Sequence, residues 1–225
     1  SALVYTSFLY SKKTKAAVSC VGADPQTCTF SNGNFTISEG QYDGAVIVVD
    51  ASVITLSGQH KFKNLTMRNG SVLTHQVLSL NSDFNPATSE LTASGKQKKI
   101  HLIVDDNISF ENNSRITVDY LGYPGGEASR PYADCHTDCG SGYGPGGGGN
   151  NDSHDEWTRG AGGSYGGKGG EGTHYSGGYA GWAKPPYGKL LANVDAAQHG
   201  SGGGSAFRHR HSESRSPGGS GGGAI

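Results

Sequence analysis

The chain has 225 residues, a formal net charge of −1, 33% hydrophobic residues and 16% charged ones. A balanced charge without a basic stripe excludes electrostatic capture of nucleic acid or of an anionic membrane surface. No apolar run approaches the ~20 residues that span a bilayer, and the lack of sustained apolar spacing at helical period excludes a helical bundle or a doubly wound nucleotide-binding fold.

Two compositions meet near Tyr120, because 31 of the 38 glycines follow it. The expected organisation is an N-terminal cap over 1–44, β coils over 45–120 and a glycine-rich continuation over 121–225. The chain begins at Ser1, not Met, and is read as a processed form or a fragment. The cap holds the apolar run Phe8-Leu9-Tyr10 and two cysteines, Cys20 and Cys28.

The central segment repeats itself. Ala45–Thr55, AVIVVDASVIT, aligns 19 residues on with Asn64–Thr74, NLTMRNGSVLT. Val46 then meets Leu65, Val48 meets Met67, Ser52 meets Ser71 and Ile54 meets Leu73. A further 43 residues on, Asn107–Thr117 (NISFENNSRIT) repeats Asn64, Leu65, Asn69, Ser71, Leu73 and Thr74. An intermediate copy is expected near Thr88–Val104. Each copy reads as a short strand, a polar turn and a second short strand. A period of roughly 20 residues with short β segments is the pattern of a parallel β-helix, in which coils stack at the ~4.8 Å strand spacing around an apolar interior. Val48, Met67 and Phe110 are the expected interior residues, and a β-sandwich of similar hairpins is the competing fold. Asp105-Asp106 follows the apolar run Ile100–Val104 and reads as a turn, since neighbouring carboxylates on a strand point to opposite faces.

Cys135 and Cys139 are four apart in PYADCHTDCG. Local pairing gives Cys20–Cys28 and Cys135–Cys139, although four cysteines allow three connectivities. A metal site at Cys135, His136 and Cys139 is the alternative, without a second Cys/His pair at zinc-finger spacing. Six Asn-x-Ser/Thr sequons occur, at Asn34, Asn64, Asn69, Asn107, Asn112 and Asn151. Asn34, Asn64, Asn107 and Asn151 are taken as glycan acceptors, whereas Asn69 and Asn112 are assigned to coil bends. Cysteines and sequons together indicate an extracellular or cell-surface location.

The densest acidic cluster is Asn150–Glu156, where Asp152, Asp155 and Glu156 offer hard oxygen ligands for Ca²⁺. A solvated loop is the competing reading, and no other cofactor is expected. Ser153, His154 and Asp155 are contiguous, the wrong arrangement for a nucleophilic relay. His209 and His211 flank Arg210 in what reads as a charged loop. The aromatics of the glycine-rich half, Trp157, Tyr165, Tyr175 and Trp182 in particular, are candidate ligand contacts, because flat rings stack on sugar C–H faces at low side-chain entropy. Their alternative role is to cover neighbouring glycines.

The glycine-rich half also repeats. Ser201–Ser205, SGGGS, returns 19 residues later as Ser220–Ala224, SGGGA. The shared step predicts continued coils, with polyglycine-II-like packing as a second ordered option. It also predicts that the fold does not end at Ile225, leaving an edge for a second copy or for the rest of a longer protein. ITVDYLGYPGG at Ile116–Gly126, followed by GPGGGG, GAGGSYGGKGG and GSGGGS…GGSGGGAI, resembles the glycine-rich right-handed β-helix segments of large secreted and cell-surface proteins, adhesin-like ones included. The resemblance spans 44–225. It implies an all-β, right-handed parallel β-helix solenoid that serves as a stalk, fibre subunit or adhesin segment. Its implied partners are copies of itself, a longer surface protein, or a glycan. A carbohydrate-active β-helix enzyme is the alternative; no catalytic residue stands out.

Overall fold

A computed structural model describes residues 15–126, 140–149, 157–158, 160–164, 169–173, 179–185, 198–208 and 215–224. Among the described residues, eleven strands precede the glycine-rich half: β1 (Ala17–Val21), β2 (Thr27–Ser31), β3 (Asn34–Ile37), β4 (Val46–Asp50), β5 (Val53–Leu56), β6 (Gln59–Phe62), β7 (Asn64–Arg68), β8 (Val72–His75), β9 (His101–Val104), β10 (Ile108–Phe110) and β11 (Arg115–Ile116). A short helix, α1 (Ala93–Gln97), starts behind the cap Thr92, whose hydroxyl accepts the Gly95 N–H. The architecture is all-β with mixed sheets.

Three ladders hold the first half together. One sheet runs β1-β2-β4-β7-β10, the second runs β11-β8-β5-β3, and β6 pairs with β9. Every pair in them is parallel except β1 with β2. The antiparallel β1 therefore closes one edge of the first sheet. Alternation in each strand sends Cys28 and Phe30, Ile47 and Val49, Leu65 and Met67, Ile54 and Leu56, and His60 and Phe62 into one buried cluster, with the apolar ones packed as its core.

The register corrects the expected interior. Val53 pairs with Val72, at the expected spacing, but Val49 pairs with Met67. One residue is lost between the strands, because a single left-handed residue, Ala51, turns the chain where Asn69 and Gly70 use two. A one-residue slip reverses every side chain of a strand, so Ile47 and Val49 point inward and Val48 outward. The 43-residue spacing holds throughout: Ile108 faces Leu65, Phe110 faces Met67 and Ile116 faces Leu73. Asn112 and Asn113 reproduce the two-residue left-handed turn. Phe110 is nevertheless 48% exposed and Ile108 47%. Their side chains continue the interior column, but β10 is the edge strand of its sheet, and among the described residues no further strand covers them. The expected intermediate copy near Thr88–Val104 does not form among the described residues: β7 and β8 pair directly with β10 and β11, and the chain between them supplies β9, which pairs with β6, and an insertion over 79–98 that carries α1.

Polar side chains also stack between the neighbouring strands and turns. Ser52 N–H donates to Ser71 Oγ at 3.3 Å, and Ser71 N–H to Ser114 Oγ at 3.1 Å. Outside, Asn112 Nδ2 donates to Asn69 Oδ1 and Asn69 Nδ2 to Asp50 Oδ1. Arg68 also pairs with Asp50, at 2.8 Å.

The glycine-rich half is held by backbone. Gly200 and Gly203 donate to Gly222 and Gly219; Gly202 and Ser205 donate to Tyr143 and Gly140; Gly204 donates to Ala161. Amides three residues apart thus face the same neighbour and successive amides face different ones. This is the three-residue turn of a polyproline-II-type helix, which has no internal bonds and offers its groups to neighbours on all sides. Glycine is required by proximity: a Cβ on Gly126 would overlap the Gly140 carbonyl, and one on Gly202 the Pro124 carbonyl. The described segments accordingly match the polyglycine-II-like option. The two SGGG phrases run antiparallel, as the Gly200–Gly222 and Gly203–Gly219 bonds show, not as stacked coils one step apart. The described residues of this half also form short antiparallel pairs: β12 (Trp157–Thr158) with β15 (Ala206–Arg208), β15 with β16 (Arg215–Ser216), and β13 (Gly172–Thr173) with β14 (Tyr179–Gly181).

Ser220–Ala224 is not the open edge that the repeat suggests. Gly221 O accepts from Gly122, Ala224 O accepts from Ile100, and Gly223 N–H donates to Val118 O. Ala224 is buried. The segment fills the seam between the two halves, because only residues without bulky side chains fit against His75 and Val118.

Candidate functional site

The 79–98 insertion folds back over the glycine segments and leaves a cleft of about 490 Å³. Glu90, Lys96 and Gln198 give it exposed polar groups, and Leu91, Pro145 and Tyr123 give it apolar walls, with His199 behind them. The insertion is locked by Asp83, which is 1% exposed. Its carboxylate accepts from Lys98 Nζ at 2.7 Å, from the Ser79 N–H at 2.6 Å and from the Ser94 hydroxyl at 2.8 Å. Burial works to raise its pKa, but Lys98 and these two donors outweigh it and hold the carboxyl below its ordinary value. Gly95 lies against the Asp83 carbonyl with no room for a Cβ.

Aromatic contacts continue from the cleft into the seam. Tyr123 stacks edge-on against Phe84, with centroids 5.0 Å apart, and its hydroxyl donates to the Ser89 carbonyl at 2.7 Å. Burial pushes Tyr123 up to about 12, so it is a neutral donor near pH 7. His199 places Nε2 2.6 Å from the Lys98 carbonyl; burial lowers its pKa, with that bond acting the other way. These contacts fix the walls of the cleft. Glu90 is the one carboxylate that lines it among the described residues, and Asp83 is saturated by its partners. The cleft is thus equipped to bind a molecule with both hydroxyl-bearing and apolar faces.

The sequence-predicted residues are distributed elsewhere. Cys20 and Cys28 face each other across the β1–β2 hairpin and form a disulfide. Trp182 is 63% exposed, and its carbonyl accepts the Gly149 N–H. Trp157 opens β12. Tyr165, Tyr175, Cys135, Cys139, Asn151 and the Ca²⁺ candidates Asp152, Asp155 and Glu156 lie outside the described residues, as do His209 and His211. Among the described residues, no three His, Cys, Asp or Glu side chains converge as a metal site. Asp105 and Asp106 pair with Lys61 at 3.4 Å and Lys63 at 3.1 Å, in the turn between β9 and β10. Asn34 is exposed on β3, Asn64 half-buried on β7 and Asn107 exposed before β10.

Sequence reasoning misses the cleft, the Asp83–Lys98 pair and the two seam histidines. The contacts that assemble them span 101 and 149 residues of chain, so no local motif announces them. The nearest signal is Asp83 set among the apolar residues Leu78, Leu80 and Phe84. No family model, curated protein or solved structure matches the chain.

Proposed function

We propose that the chain is an extracellular structural or adhesive module, built on a short right-handed parallel β-helix and contacting glycans through the 79–98 cleft. The stacked parallel rungs with their serine and asparagine ladders support the β-helix reading. The disulfide and the sequons support the extracellular reading. The observation that carries the function is the cleft itself. A charged and amide rim over Leu91, Pro145 and Tyr123 suits a sugar, which offers hydroxyls at its edge and C–H groups on its face. Its walls are held by bonds already made in the free protein, so little ordering remains to be done on binding.

The test is adsorption to a panel of soluble and insoluble polysaccharides, with released reducing ends and unsaturated products measured in parallel. The expected result is binding without product, weakened at least tenfold by Leu91→Asp or Gln198→Ala. Product release that Glu90→Gln abolishes would establish the carbohydrate-active enzyme instead. Unchanged binding in both cleft variants would remove the cleft from the function and leave exposed Trp182 as the contact.

A further inference from the structure

Five of the six sequons lie among the described residues, and their hydrogen bonds divide them. Asn69 Nδ2 donates to Asp50 Oδ1 at 2.7 Å, and Asn112 Nδ2 to Asn69 Oδ1 at 3.2 Å. A sugar on either nitrogen would have to lie inside a column whose members are one strand spacing, ~4.8 Å, apart. Asn64 is half-buried in a central strand and its Oδ1 accepts the Asn107 N–H at 3.1 Å. Asn34 and Asn107 differ: both are exposed, and neither side-chain amide makes a hydrogen bond to another described residue.

These two asparagines share a second property. Asn34 opens β3, the edge of one sheet, and Asn107 directly precedes β10, the edge of the other. Edge strands present unpaired N–H and C=O groups that invite pairing with another chain, and folded proteins cover or blunt them. The β10 edge is the more hazardous, because Ile108 and Phe110 stand half exposed above the fully buried Leu65 and Met67. A bulky, hydrated group fixed at Asn107 would stand beside that edge.

We propose that Asn107 carries an N-linked glycan that shields the β10 edge and the Ile108–Phe110 patch, and that Asn34 carries its counterpart at the β3 edge. The donor class is a lipid-pyrophosphate-linked oligosaccharide. A C–N bond forms between its anomeric carbon and Asn Nδ2, the anomeric C–O bond to pyrophosphate breaks, Nδ2 loses one proton, and the lipid pyrophosphate departs. The inference rests on the extracellular reading and adds which sequons are used and what they do. It also implies that any self-assembly of the glycosylated chain avoids these two edges.

The full chain, secreted from a eukaryotic host, is digested for glycopeptide mass spectrometry, and the redox state of Cys20 and Cys28 is read from the same sample. The expected result is occupancy at Asn34 and Asn107 with Asn69 and Asn112 bare. Enzymatic trimming of the folded protein to one sugar per site, and separately Asn107→Gln, should turn a monomer into a concentration-dependent oligomer in sedimentation. Trimming serves as the readout if the variant fails to fold. A secreted, disulfide-bonded protein with a bare Asn107, or one that stays monomeric after trimming, overturns the inference and leaves the extracellular reading standing. A chain that folds only with Cys20 and Cys28 reduced overturns both.

Discussion

The imidazoles of His75 and His199 stand edge to face, with centroids 5.5 Å apart, at the seam where the glycine segments meet the strand ladders. His75 Nε2 accepts the Ala224 N–H at 3.2 Å, and Nδ1 lies 2.7 Å from the Gln76 carbonyl. The proton of this ring therefore sits on Nδ1, and the ring is neutral. Burial lowers His75 to about 4; the Gln76 carbonyl opposes that, while His199 and Lys98 add to it. His199 is lowered first by burial and also by Lys99, against the Lys98 carbonyl and Asp83. Protonation of His75 would set two donors, Nε2–H and the Ala224 N–H, against each other.

This pair makes stability acid-sensitive. The folded pKa of His75 lies below the 6.5 of an unperturbed imidazole, so the unfolded chain binds the extra proton first. The contribution is complete above pH 6.5 and is lost as the pH falls toward 4. Its size is roughly 2–3 kcal/mol. His75→Gln keeps an acceptor for Ala224 and removes the titration. Urea unfolding across this pH range should show a shallower loss in the variant, and equal slopes in both proteins would show that His75 is not responsible.

Met67 and Phe110 occupy the same interior column on adjacent strands, yet one is fully buried and the other half exposed. Met67→Ala should cost about 2–5 kcal/mol through lost burial and a cavity. Phe110→Ala should cost about 1 kcal/mol or less, well below the cost of a buried phenylalanine. Denaturant midpoints of the two variants check this. Equal losses would mean that β10 is covered in solution.

How much of this was legible in the sequence follows from turn lengths. Asn69-Gly70 and Asn112-Asn113 are turns of equal length, so the 43-residue alignment gives the true register of β7 with β10 and of β8 with β11. Ala51 makes its turn with one residue fewer, and an alignment that slides the whole unit by 19 misplaces Val48 by one position. In the glycine-rich half there is no side-chain pattern to read, because glycine carries no sign of which neighbour its amide faces. The three-way bonding of Gly200–Ser205 is a property of backbone direction alone. The cleft depends on Asp83, Lys98, Tyr123 and His199 meeting from distant segments, and no spacing rule links them.

The glycine packing makes a position-specific prediction. Gly202→Ala would drive a Cβ into the Pro124 carbonyl and Gly125. Neither side of that contact is a flexible side chain, so the cost should be about 3 kcal/mol or more. Gly219 has open space around its Cβ position and no left-handed φ. Gly219→Ala should be neutral, or stabilising by about 0.4–1 kcal/mol through the unfolded chain. Thermal unfolding of the two variants measures the difference. Similar effects at both positions would mean that the segments are looser than backbone contact requires.

The serine ladder sets a last contrast, between a hydroxyl that faces inward and one that faces outward. Ser71 is fully buried. Its Oγ accepts the Ser52 N–H at 3.3 Å, and its one proton is shared between the Arg68 carbonyl at 2.6 Å and the Val49 carbonyl at 2.9 Å. Ser71→Ala strands the Ser52 N–H away from water, which costs about 1–3 kcal/mol for an unsatisfied buried donor. Ser109 also bonds along its column, to Thr66 Oγ1 at 3.2 Å, but it faces outward on the edge strand β10. Water replaces that bond when Ser109→Ala removes it, so the loss should stay below about 1 kcal/mol. A double-mutant cycle of Ser52→Ala with Ser71→Ala should show coupling of about 0.5 kcal/mol or more, since each removes part of one ladder. Additive losses, or a Ser109→Ala variant as damaged as Ser71→Ala, would show that the ladder does not hold the strands in register.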